Sequence, residues 1–137
     1  MRVFLDTNVL ASAFGTRGLC AEVLQRTIED YELVTGEIVI EELRGVLNRK
    51  FGARPDKLKE VDKFLRGYHV EPKPHHLPDL DLSERSDLMV VGSAINAKAE
   101  ILITGDHEML ALKKKPEGLR IISPREFWNL AARTPSR

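Results

Sequence analysis

The chain has 137 residues, 21 basic against 21 acidic, 42% hydrophobic residues and one cysteine. That length suits a single domain over residues 1–137 that buries roughly two thirds of its unfolded surface without a disulfide or structural metal. Balanced charge argues against a protein holding nucleic acid through phosphate contacts alone, lone Cys20 excludes an intrachain disulfide and fits a reducing, cytoplasmic setting, and Asp6 interrupts any apolar leader, so neither a signal segment nor a membrane span is expected.

Val3-Phe4-Leu5 reads as a short buried strand. From Leu19 to Ile28, Leu19, Val23, Leu24 and Ile28 recur at helical spacing. Tyr31 to Thr35 is a second strand; Thr35-Gly36 breaks the chain, and a helix follows from about Glu37 to Lys50, closed by Gly52. Pro55 opens another helix whose inner face is Leu58, Val61, Phe64 and Leu65. His69-Val70-Glu71 is a short third strand, followed by a polar, proline-bearing loop to Ser83. A helix is expected from Ser83 to about Lys98, then a buried strand Ile101–Thr104, a short helix from His107 to Leu112 and a last strand Leu119–Ile122. Ser123-Pro124-Arg125-Glu126 is a capping box for a final helix carrying Phe127, Trp128 and Leu130. Strands alternate with helices, and their residues are apolar without strict alternation, as in a parallel sheet covered on both faces. The expected fold is a three-layer α/β/α domain around about five parallel strands.

Such sheets bind ligands beyond the carboxyl ends of their strands. Asp6 follows the first strand and Asp106 the fourth; each also fits a helix N-cap. Asp87 projects from the apolar face made by Val90, Val91 and Ala94, where a carboxylate needs a metal, a partner, water or the positive start of its helix. Of the pair Glu41-Glu42, Glu42 flanks the inner face of its helix and Glu41 points to water; a surface pairing of Glu42 with Arg44 or Arg49 is the plain alternative. Two like charges 4 Å apart repel by about 4 kcal/mol at an effective dielectric near 20, so four converging carboxylates demand a cation or bound protons. Hard ions such as Mg²⁺ or Mn²⁺ suit carboxylate and water oxygens and promote phosphodiester hydrolysis.

Phe4-Leu5-Asp6-Thr7-Asn8-Val9-Leu10 resembles the opening motif of PIN domains. Ile40-Glu41-Glu42-Leu43 resembles their second acidic motif, Asp87 their third acid, and Thr104-Gly105-Asp106 their fourth motif, in the family's order over nearly the whole chain. The resemblance implies that Asp6, Asp87 and Asp106 are metal ligands, with Glu42 joining them directly or through water. It implies that Asn8 and Thr104 orient carboxylates or water behind them, and that the first and fourth strands lie side by side. Ser86 stands where the family often has a second acid, which lowers the local negative charge. Members of this size resemble VapC-type toxins. The resemblance therefore implies a metal-dependent endoribonuclease using Mg²⁺ or Mn²⁺, with RNA as substrate, an antitoxin protein as partner, and a homodimer as a further association.

Two other functions fit parts of the pattern. A phosphatase with Asp6 as nucleophile needs an acid two residues on, where Asn8 stands. A non-catalytic PIN-fold binding module would keep the fold without the chemistry. His75-His76 reads as surface loop, His107 as a helix-start residue, Lys113-Lys114-Lys115 and Arg17 as solvated, and Phe127 and Trp128 as core or dimer contact.

Overall fold

The computed structural model describes residues 1–133. The last four residues of the expected domain lie outside the described residues. Chain order is β1 (Arg2–Leu5), α1 (Thr7–Gly15), α2 (Leu19–Asp30), β2 (Glu32–Gly36), α3 (Glu37–Phe51), α4 (Pro55–Leu65), β3 (His69–Glu71), α5 (Arg85–Asn96), β4 (Ile101–Ile103), α6 (His107–Leu110), β5 (Arg120–Ile122) and α7 (Pro124–Ala132).

The five strands form one all-parallel sheet in the order β3-β2-β1-β4-β5, flanked by helices in a three-layer α/β/α arrangement. Central β1 pairs Phe4 with Val34 on one side and with Leu102 on the other. Val3, Phe4 and Leu5 are fully buried, which explains why β1 is apolar on both faces. Phe4 and Phe127 are among the largest fully buried side chains, each contributing roughly 1.5–3 kcal/mol through removal from water. From β1 the chain moves to β2 on one side and later returns to β4 on the other. That reversal opens a crevice at the carboxyl ends of β1 and β4.

The helix ends follow their sequence signals. Ser123 accepts from the Glu126 amide, and the Glu126 carboxylate reaches back to the Ser123 amide. Gly52 ends α3 at φ 60°, a left-handed conformation that glycine adopts without penalty.

Three local features depart from the sequence reading. Helix α1 is not delimited by spacing, because Thr7, Val9, Leu10 and Ala11 are all buried and its polar face is only Asn8 and Ser12, which line the cleft. Phe64 is 38% exposed despite its inner-face spacing; it packs edge-on to Phe14 and Tyr68 near the end of α4. Helix α5 begins at Arg85 because Ser83 is engaged elsewhere: its amide and hydroxyl donate to the Glu108 carboxylate. Pro74 and Pro78 lie against Gly92 of α5 and hold the preceding loop on that helix.

Candidate active site

The chain turns directly from β1 into α1 at Asp6, whose amide still donates to the Ile103 carbonyl and so prolongs the β1–β4 pairing. Asp6 is only 5% exposed. One carboxylate oxygen accepts the Thr7 amide at 2.7 Å, capping α1, and the other accepts the Thr104 hydroxyl at 2.7 Å. Asp106 caps α6 through the amides of Glu108 and Met109, and its own amide donates to Thr104 Oγ1 at 3.0 Å. Each aspartate therefore caps a helix and also lines the cleft.

Glu42 reaches the site from the second turn of α3, where its Oε1 accepts the Thr7 hydroxyl at 2.9 Å. Glu41 is an exposed partner of Lys73. Asp87 lies in the first turn of α5, half-buried, ahead of buried Val90, Val91 and Ala94. Asp6, Glu42, Asp87 and Asp106 thus line one cleft of about 490 Å³ at the carboxyl edge of the sheet.

The electrostatics report the same convergence. Burial is the main cause that pushes the Asp6 carboxyl up to about 6; hydrogen bonds from Thr104 and Thr7 oppose the rise, and Glu42 and Asp106 add to it. Asp87 is pushed up to about 7, first by burial and then by the charges of Asp106, Asp6, Glu42 and Glu108.

Among the described residues no three His, Cys, Asp or Glu side chains stand close enough to cage an ion directly. The donor set nevertheless fits a hydrated hard cation. It is all oxygen, no histidine or cysteine lines the cleft, and Mg²⁺ keeps several waters when bound by one or two carboxylates.

Thr104 is fully buried between Asp6 and Asp106. Asn8 Oδ1 accepts the Gly105 amide at 3.3 Å and braces the turn before Asp106. Asp81 and Glu84 are exposed, while Glu108 is the additional acid that Asp87 feels. Thr7, Glu108 and Phe51 escape the sequence reading, and Arg49 enters it only as a surface partner for Glu42. Thr7 alone had a signal, its place between Asp6 and Asn8.

Fold and site define an α/β protein with a carboxylate-lined cleft at the switch point of a parallel sheet. The chain belongs to the PIN domain family, whose pattern matches residues 2–108. Members of that family are generally nucleases and typically depend on divalent metal ions. Among solved structures, the chain is similar to one in the crystal structure of VapBC2 from Rickettsia felis bound to a DNA fragment from their promoter. Identity is 17% and the TM-score 0.67, over 90% of this chain and 98% of that one. It is also similar to a chain of a toxin–antitoxin complex from Klebsiella pneumoniae, at 14% identity and TM-score 0.60, over 85% and 94% of the two chains. These likenesses show the fold. No curated protein matches the sequence significantly. No helix among the described residues is long and apolar enough to cross a membrane.

Proposed function

We propose that this protein is a Mg²⁺- or Mn²⁺-dependent endoribonuclease that acts as the toxin of a toxin–antitoxin pair. The observation that carries the reading is the meeting of Asp6, Glu42, Asp87 and Asp106 in one cleft of a PIN domain. Asp6, Asp87 and Asp106 would hold the ion, in part through its waters, with Glu42 reaching it directly or through water. Such an ion, when bound, supplies Lewis-acid charge stabilisation to a phosphodiester.

The remaining work belongs to the chain itself. Thr104 and the Thr7 amide fix both oxygens of Asp6, and the Thr7 hydroxyl fixes Glu42. Asn8 holds the Gly105 turn and so sets where Asp106 stands. These contacts order the carboxylates before substrate arrives, which removes reorganisation from the reaction. The toxin role and a protein antitoxin are supported by the toxin–antitoxin complexes that share the fold. A homodimer and a cytoplasmic setting complete the reading.

The test is cleavage of RNA by the purified protein. Mn²⁺ should support cleavage, EDTA should stop it, and Asp6→Asn should abolish it. Cleavage that persists undiminished in EDTA overturns the reading.

A further inference from the structure

The cleft extends beyond its acidic end. Along its wall runs α3, whose Glu42, Gly45, Val46 and Arg49 share one face at positions i, i+3, i+4 and i+7. At 1.5 Å per residue, Arg49 stands about 10 Å further along the helix axis than Glu42. Its side chain turns back toward the acids: Nη1 lies 2.8 Å from where a β-carbon on Gly45 would be. The guanidinium is thus seated over a residue that has no side chain. No hydrogen bond or ion pair to Arg49 occurs among the described residues, although Glu41 and Glu42 line the same cleft.

Phe51 closes α3 at the same end of the cleft. It is 38% exposed, and its ring lies against Gly15 of α1, where a β-carbon would come within 2.7 Å. A half-exposed ring held in place beside the cations Arg49 and Lys50 is the pairing that single-stranded nucleic-acid sites use, with a base on the ring and backbone phosphate on the cation. The need for it is electrostatic, because four carboxylates by themselves repel a polyanion. Cations in a last turn also complement the helix dipole. That accounts for the charge of both; the N-terminal tilt of helical side chains and the bare Gly45 then bring the exposed Arg49 guanidinium along the cleft wall.

We propose that Arg49 and Phe51 form a nucleotide subsite beside the carboxylates, Arg49 gripping a backbone phosphate of single-stranded RNA and Phe51 stacking under a neighbouring base. This rests on the nuclease reading above and names how its substrate is held. Both are binding residues and take no part in bond breaking.

The experiment is steady-state cleavage of a single-stranded oligoribonucleotide with Mn²⁺ by the full chain and its variants, with circular dichroism as the check on folding. Arg49→Ala and Phe51→Ala should each raise KM about tenfold with kcat within about twofold. Arg49→Ala should lower the salt dependence of KM by about one ion, and Phe51→Ala should leave it unchanged. Arg49→Lys keeps the charge and should recover part of the loss. Gly45→Ala, which keeps the guanidinium but displaces it from its seat, should raise KM less than Arg49→Ala. An active wild type with unchanged KM in folded Arg49→Ala and Phe51→Ala overturns the subsite alone, as does a fall in kcat at constant KM. A wild type that leaves RNA intact overturns the nuclease reading and the subsite with it.

Discussion

The Thr104 hydroxyl joins two acids from opposite ends of the sequence: it donates to Asp6 Oδ2 at 2.7 Å and accepts the Asp106 amide at 3.0 Å. Because Thr104 continues β4 alongside β1, one side chain converts strand register into carboxylate register. Replacing Thr104 by Val keeps the shape and removes both bonds. Mn²⁺ affinity measured by calorimetry should fall about 10–100-fold, the usual effect of losing a group that orients a ligand. Unaltered affinity would show that Thr104 serves packing alone.

Stability without metal should depend on pH with a definite sign. The folded Asp6 and Asp87 carboxyls titrate near 6 and 7, above their ordinary value of 3.8. The folded state therefore binds more protons than the unfolded state between about pH 4 and 7, and metal-free stability falls as pH rises through that window. For buried Asp6 the contribution is on the order of 3 kcal/mol. Urea unfolding in EDTA at pH 5 and pH 8 reads it. Asp6→Asn should flatten the slope, and Mn²⁺ at pH 8 should restore stability by binding the folded state.

The adjacent glutamates of α3 should separate cleanly. Glu42 accepts the Thr7 hydroxyl inside the cleft, whereas Glu41 is 64% exposed and pairs with Lys73. We expect Glu42→Gln to lower RNA cleavage by at least about tenfold, and Glu41→Gln to change it by less than about twofold, since an exposed ion pair contributes little. Equal effects in a cleavage assay would contradict the assignment.

A stabilising change is available away from the cleft. Lys98 has φ 58° in a Schellman turn after α5, where its amide bonds the Ile95 carbonyl and the Ala99 amide bonds the Ala94 carbonyl. Lys98→Gly should add about 0.5–1 kcal/mol, the left-handed penalty less the entropy that glycine loses on folding. Thermal unfolding should show the gain, with catalytic activity unchanged.

What the sequence made legible follows from where the forces act. Strands such as Val3–Leu5 and Ile101–Ile103 are buried on both faces, so apolar character alone reveals them. Asp87 stood out as an acid on an apolar face, and helical angles favoured Glu42 over Glu41. Helix α1 stayed hidden because burial on several sides erased its period. The Thr7–Glu42 bond depends on how α1 meets α3, and neither segment encodes that approach by itself. The seats that Gly45 gives Arg49 and Gly15 gives Phe51 were equally invisible, because a missing side chain has meaning only once its neighbour is placed.

The sheet order also bears on how the protein is made. Central β1 leaves the ribosome some hundred residues ahead of its neighbour β4, and the Thr104 amide is bonded only when the Ile122 carbonyl arrives. A nascent fragment that stops before β4 has Asp6 without the Thr104 hydroxyl and without Asp106. The carboxylate cleft is therefore a late product of synthesis, assembled only after the chain has supplied both sides of the sheet's reversal.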